Sequence, residues 1–260
     1  MTRSDAEFAA RLTSTAGWGF TRRDFQRILT LTPEGCFIAV RDGRRVGLLT
    51  TVTYGDVAWI GNVVVDEKMR GKGVGSRLLE HALNHLKDVG VSTVGLYAYT
   101  HAIDFYEALN FKVYSKFVRM SREARKLPYT GIRRMRPSDL YDAAKLDEAC
   151  VGFSRRSLLE WRLKDEHTSG FAAEAEDKVV GYLLKEKSST VEIGPWVCLG
   201  THEGEAANLL KAAVSSSVGS MVQIGVLKEN ADILRLLSGL GFKQASEVVS
   251  MYHKNSKPPS

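Results

Sequence analysis

Trp59-Ile60-Gly61-Asn62-Val63-Val64-Val65, then Asp66-Glu67-Lys68-Met69, then Arg70-Gly71-Lys72-Gly73-Val74-Gly75: this run decides how the chain is read. The first part is a strand by its β-branched and aromatic content. A turn follows. From Ser76 onward Leu78, Leu79, Ala82, Leu83 and Leu86 recur at spacings of three and four, the period of an amphipathic helix. Between strand and helix lies a place to hold phosphates. Glycines let backbone N–H groups approach an anion closely. A helix start adds unpaired N–H groups and the positive end of its dipole. Arg70 and Lys72 add charge. A P-loop would need a Lys-Ser/Thr pair after its last glycine, which is missing here. Gly71, Gly73 and Gly75 are spaced GxGxG, not the GxGxxG of a dinucleotide loop.

Outward from this stretch the chain reads as one α/β unit written twice. Upstream lie a helix opened by Ser4 with Glu7, a break at Gly17–Phe20, and a helix starting at Thr21. A hairpin then turns at Asp42-Gly43. Downstream come a strand over 92–99, a short helix over 102–109 and a strand over 111–120. Met1-Thr2-Arg3-Ser4-Asp5 then answers to Met135-Arg136-Pro137-Ser138-Asp139 at an offset of 134. Gly19-Phe20-Thr21-Arg22-Arg23 answers to Gly152-Phe153-Ser154-Arg155-Arg156 at 133. Gly47 pairs with Gly181, Ile60-Gly61 with Ile193-Gly194 and Asn110-Phe111 with Gly241-Phe242. Ordered matches with slowly drifting offsets mark an internal repeat. The expected division is a domain over 1–120, a charged linker over 121–131 holding Pro128 and Gly131, and a domain over 132–260. Before Met135 the second copy has a strand-like Ile132-Arg133-Arg134, for which the first copy offers nothing upstream of Met1. That strand is absent, is supplied by other segments, or precedes the given start.

The chain has 260 residues, 44% apolar and 25% charged, enough for two globular domains of about 130 residues each. No apolar run is long enough for a membrane span, and Met1–Asp5 lacks the apolar core of a signal peptide. Cys36, Cys150 and Cys198 are odd in number and far apart, which argues against a disulfide framework and for a reducing, cytoplasmic setting. They read as buried fillers. The net charge of +6 suits anionic ligands, and the densest basic cluster, Arg119 to Arg136, is interrupted by Glu123, so no nucleic-acid partner is expected.

Arg70-Gly71-Lys72-Gly73-Val74-Gly75 resembles the (Q/R)-x-x-G-x-(G/A) pyrophosphate loop of the GCN5-related N-acetyltransferases (GNAT), matching at Arg70, Gly73 and Gly75. Ala102-Ile103-Asp104-Phe105-Tyr106-Glu107-Ala108-Leu109-Asn110-Phe111 is similar to the family's A-x-x-x-Y-x-x-x-G-F segment. The resemblance implies two tandem GNAT-like domains, each a mixed, mainly antiparallel twisted sheet flanked by helices. It implies transfer of an acetyl group from acetyl-CoA to a primary amine by direct attack in a ternary complex. The backbone of Val63, Val64 and Val65 would pair with the pantetheine arm. Arg70, Gly71, Lys72, Gly73, Val74, Gly75 and Ser76 would cradle the pyrophosphate. Tyr106 would protonate the departing thiolate. Tyr99 stands where the family commonly has asparagine, and Asn110 where it has glycine.

Aligning Leu78-Leu79 with Leu209-Leu210 sets Thr201-His202-Glu203-Gly204-Glu205-Ala206 against the loop and Leu237 against Tyr106. Glu203 and Glu205 would oppose a dianion, so the second copy reads as degenerate, with a supporting or acceptor-cleft role. Trp18 and Trp196 are candidates for lining the acceptor cleft. Asp56, Glu67 and His101 are candidate general bases. His81 and His85 have a metal-like spacing without a third ligand, so no metal is expected. By the same resemblance the acceptor would be a small-molecule or peptide amine. The rival reading is a non-catalytic acyl-CoA-binding or sensing module whose second domain recognises a partner.

Overall fold

In this computed structural model, which describes residues 1–188, 190–254 and 256, the elements follow in the order helix–helix–hairpin–strand–helix, twice. Helices α1 (Ala6–Thr15) and α2 (Arg22–Leu31) precede strands β1 (Phe37–Arg41), β2 (Arg44–Tyr54) and β3 (Val57–Val65). Helix α3 (Val74–Asp88), strand β4 (Thr93–Tyr99), helix α4 (Ile103–Glu107) and strand β5 (Phe111–Glu123) complete the first copy. The second holds β6 (Ile132–Arg134), α5 (Leu140–Val151), α6 (Arg156–Leu163), β7 (Thr168–Ala175), β8 (Lys178–Lys187) and β9 (Val191–Cys198). It ends with α7 (Glu203–Ser215), β10 (Met221–Leu227), α8 (Ala231–Gly239) and β11 (Lys243–His253). None of the helices among the described residues is long and apolar enough to cross a membrane.

The repeat is visible in hydrogen bonds as well as in letters. Thr2 N–H donates to Asp5 Oδ2 at 2.7 Å, and Arg136 N–H donates to Asp139 Oδ2 at 2.6 Å. Thr2 and Asp5 thus open the 3₁₀ turn Arg3–Asp5 that leads into α1, two residues before the expected Ser4–Glu7 pair. Thr21 and Asp24 cap α2 reciprocally, as their spacing predicts. The β1–β2 turn holds Asp42 and Gly43 at φ 49° and 71°, and the β7–β8 turn holds Glu176 and Asp177 at 49° and 60°. Two left-handed central residues make a turn whose twist matches that of the strands it joins.

Contacts divide the chain into two compact units, and these are not the two sequence copies. Unit 1 is Met1–Tyr114 with the described residues from Ser250 onward, and unit 2 is Ser115–Val249. The expected domains 1–120 and 132–260 follow the sequence copies, whereas the contact units differ from them by the ends of β5 and β11. β5 leaves unit 1 at Tyr114, and its Phe117–Glu123 segment pairs antiparallel with Leu227–Met221 of β10. The segment 121–131 is therefore no free linker. It begins inside a strand, and Leu127 exchanges hydrogen bonds with Ser215 Oγ at 2.9 and 3.0 Å.

In unit 1 the strand order is β1-β2-β3-β4, with the end of β11 next to β4. β1, β2 and β3 are antiparallel and β3 runs parallel to β4. One face of β2 meets α1 and α2, burying Leu48 and Val64 among Ala6, Ala9, Leu12 and Phe25. The other face meets α3 at Gly47, where an added Cβ would lie 3.1 Å from Val64 O and 3.2 Å from Leu78 Cδ1. Gly181 stands likewise under Leu209 in unit 2, at 3.0 Å. Gly47→Ala should therefore cost about 1–3 kcal/mol, read as a lowered urea midpoint with unchanged slope, because the backbone oxygen cannot move aside.

Unit 2 is ordered β10-β9-β8-β7-β6 with the end of β5 beside β10. α7 covers one face, with Leu209, Leu210 and Val214 in a cluster with Phe171, Leu183, Val222 and Leu237. α5 and α6 cover the other, over Tyr182, Leu184 and Val197. Leu237 is fully buried there, so the position opposite Tyr106 is core.

Candidate functional site

The site in unit 1 starts from how β3 changes neighbours. From Val57 to Ile60 it pairs with β4, Val57↔Thr93 through Ile60↔Leu96. Beyond Ile60 it continues to Val65 paired with β2 alone. Gly61–Val65 therefore has one edge of N–H and C=O groups without a strand partner. A bulge marks the change: Leu48 pairs with Val64 and Thr50 with Gly61, so Asn62 and Val63 both face Leu49. Asn62 adopts φ 52°. Its Nδ2 donates to Thr50 Oγ1 at 3.0 Å, which donates to Gly61 O at 3.2 Å. Bulges of this kind re-aim a strand. Gly61-Asn62 inside an apolar run was the available signal for it.

At the end of β3 the chain makes a single 3₁₀ turn, Glu67–Met69, and enters the glycine loop. Gly71 and Gly73 have φ 72° and 76°, so side chains there would strain the backbone. Gly73 caps α3 without a side-chain acceptor, and the first turn of α3 carries no acid. Among the described residues no protein acceptor takes the N–H groups of Gly71 through Ser76, whereas Arg77 N–H returns to Gly73 O at 3.1 Å. Arg70 Nε donates to Val65 O at 3.2 Å, which holds the arginine beside the end of the open strand edge. These groups suit a diphosphate on a helix start.

Gly75 joins this loop to α4. A Cβ there would lie 3.3 Å from Phe105 Cζ and 3.7 Å from Val65 Cγ2, so its absence lets α4 sit against the start of α3. Next to Phe105 is Tyr106, only 8% exposed and edge-on to Phe105 at 5.0 Å and Phe111 at 6.0 Å. Its hydroxyl has no hydrogen-bond partner among the described residues. Burial pushes the phenol up to about 12, so it stays protonated across the physiological range. Asn110, in the place of the usual glycine, is left-handed at φ 65°, as Gly241 is at 84°.

The remaining expected residues are placed as follows. Trp18 belongs to unit 1 and stacks on Tyr99, with ring centroids 6.5 Å apart. Trp196 belongs to unit 2, packs against its core, and has a buried indole nitrogen unpaired among the described residues. Asp56 turns the chain into the start of β3 and accepts from Ser92 Oγ at 2.8 Å. That puts it roughly 20 Å of strand from Val63. His81 and His85 are edge-on to Phe37 at 4.7 and 5.4 Å, which explains their spacing by packing. No group of three or more His, Cys, Asp or Glu among the described residues is arranged to hold a metal ion. Cys36 is buried, but Cys150 is exposed at the end of α5, against the expectation that all three cysteines fill core. Burial pushes the Cys198 thiol up to about 11.

Unit 2 repeats the strand departure but not the loop. β9 pairs with β10 only over Val191–Ile193 and then continues to Cys198. Its connection to α7 is 199–202, against 66–73 in unit 1. Glu203 and Glu205 lie in the first turn of α7, not in a loop. Asn230 caps α8, accepting from Ile233 N–H at 3.1 Å.

Comparison with known proteins agrees with this geometry. Residues 6–111 match the model of the Acetyltransferase (GNAT) family and residues 143–260 that of an Acetyltransferase (GNAT) domain. The holothin acyltransferase of Pseudoalteromonas sp. is 23% identical over 90% of this chain and 80% of its own length. A Pyrococcus horikoshii protein assigned to the acetyltransferases superposes with a TM-score of 0.82 at 21% identity, covering 99% of this chain and 89% of that one. A tandem GNAT protein from the clavulanic acid biosynthesis pathway superposes at 0.71 with 15% identity, covering 99% and 98%. The chain belongs to the GNAT acetyltransferase superfamily, in its tandem two-domain form.

Proposed function

We propose that unit 1 is an acetyl-CoA-dependent N-acetyltransferase acting on a primary amine, and that the second copy has lost cofactor binding. The observation that carries this is the open β3 edge at Gly61–Val65, which runs into a glycine-and-cation loop with unengaged amides. An arm bearing amides pairs with such an edge as an added strand would. Arg70, Lys72 and the amides of Gly71–Ser76 hold the diphosphate end. A relative spanning 90% of this chain is named for acyl transfer to holothin, which supports acyl transfer as the activity.

Acetyl-CoA, when bound, would supply an acyl carbon activated for attack by the amine nitrogen, with its thiol as the leaving group that carries off the C–S bonding pair. Backbone N–H groups of the bulged strand stabilise charge on the acyl oxygen. Tyr106 holds a proton at Oη for the sulfur. The amine reacts as its free base and gives its surplus proton to water. The thiols of Cys36 and Cys198 are protonated by burial, which favours direct transfer over an acyl-cysteine route.

The experiment is calorimetric binding of acetyl-CoA with thiol release measured over a panel of amines. Arg70→Glu should weaken acetyl-CoA by about tenfold or more, and less so in high salt, because it reverses a charge at the diphosphate. Unaltered affinity would place the phosphates elsewhere.

A further inference from the structure

One face of β4 carries an aromatic wall beside the open strand edge, made by residues far apart in sequence. β4 loses β3 as a partner after Leu96, so Tyr97 and Tyr99 lie on the lip that faces the departure. Spaced by two, they share a face of the strand. Tyr99 stacks on Trp18, from the turn between α1 and α2, at 6.5 Å and 30°, and on His101 at 5.7 Å and 6°. Tyr97, 52% exposed, stacks on Trp59 at 4.8 Å and 13°. Tyr97 and His101 are exposed and Trp18 and Tyr99 half-buried, an apolar surface left partly open beside the strand edge at Gly61–Val65.

Charge narrows what the wall takes. The turn 16–21 contains no acid, and Arg22 and Arg23 follow it directly. Asp24 is engaged by Thr21 and Arg27, and Asp56 by Ser92. The turn and these two engaged aspartates thus offer a polycationic acceptor no free carboxylate. A flat, uncharged ring can pack against the outer side of this stack.

We propose that the acceptor is a primary amine carried on a short arm by a planar aromatic or heteroaromatic ring, which lies against Trp18, Tyr99 and His101. This deepens the N-acetyltransferase reading and rests on it. The test uses the full chain with tryptamine, phenethylamine, hexylamine and putrescine as acceptors. kcat/KM should be at least tenfold higher for tryptamine than for hexylamine, with putrescine poorest. Trp18→Ala should raise the tryptamine KM about tenfold and leave the acetyl-CoA KM alone, while Trp18→Phe restores it. Because Trp18 also packs on the core, Tyr99→Leu serves as a second variant with the same expected split. Equal use of hexylamine, or a ring preference that survives both variants, overturns the proposal. Calorimetry of tryptamine without cofactor separates the two readings. Failure of acetyl-CoA to bind, with tryptamine binding intact and lost in Trp18→Ala, breaks only the acetyl-transfer reading. Absence of tryptamine binding breaks only this one.

Discussion

Tyr106→Phe is expected to lower kcat about 10- to 100-fold while leaving acetyl-CoA affinity within about twofold. The ring does the packing, edge-on to Phe105 and Phe111, and phenylalanine preserves that. Only the hydroxyl is removed, and it has no partner among the described residues to strand. The size of the effect follows from the phenol's acidity. Burial holds it at about 12, whereas a thiol sits near 8.5, so full proton transfer to a thiolate would run uphill by roughly 5 kcal/mol. The hydroxyl therefore acts mainly as a hydrogen bond that strengthens as charge gathers on sulfur. Such bonds to a charged group are worth about 1.5–3 kcal/mol, which gives the stated range.

The same value fixes the pH profile. The protonated phenol is the working form and survives until pH approaches about 12, so Tyr106 puts no descending limb on kcat/KM below that point. The rate should rise with pH only as the acceptor amine loses its proton. A descending limb near pH 10 would mean that the working phenol is solvated and ordinary. Unchanged turnover in Tyr106→Phe would remove it from the chemistry and favour an acyl-CoA-binding module.

The sequence was legible where local chemistry dictates local geometry. Glycines at 71, 73 and 75, a valine run and a leucine period predict a strand, anion loop and helix without any partner strand being known. The repeat was legible for the same reason, since capping pairs and hairpin turns are short-range. Strand exchange was not. A period-two pattern says which face of β5 is buried but not which strand lies beside it, so residues 115–123 read as the end of the first copy although they pair with β10. The fate of the second loop was half legible. Glu203 and Glu205 mark the change of charge from the first loop, but the shortening of the connection to 199–202 appears only once β9 and α7 have ends. Tyr99 and His101 were visible only as a departure from a pattern and a turn residue. Their stacking with Trp18 depends on where the α1–α2 turn returns to the sheet.

Asp147→Ala is expected to destabilise the chain by about 3–5 kcal/mol, a large part of the 5–15 kcal/mol typical of a domain. Asp147 is fully buried on α5, and its carboxylate takes Arg155 Nε at 2.8 Å and Nη2 at 2.6 Å. The hydroxyl of buried Tyr182 donates to the same group. Alanine leaves a largely buried guanidinium and a buried phenol hydroxyl without their anion, so the loss exceeds the worth of the bonds themselves. Burial and the neighbouring carboxylate push the Tyr182 phenol well above its ordinary value, so it is a donor in the native protein. The consequence should reach the proposed site in unit 1 by way of the chain. β11 runs from Lys243 in unit 2 to His253 in unit 1, where Tyr252 is edge-on to Trp59 at 5.7 Å. A Cβ at Gly95 would lie 3.0 Å from the same Tyr252 ring. Unfolding of unit 2 withdraws the anchor of that last segment, so Asp147→Ala should lower one common urea midpoint, with acetyl-CoA raising it in both wild type and variant. Two separated transitions, with acetyl-CoA shifting only the one that Asp147→Ala leaves unmoved, would show that the exchanged strands do not tie the stability of the site to the second copy.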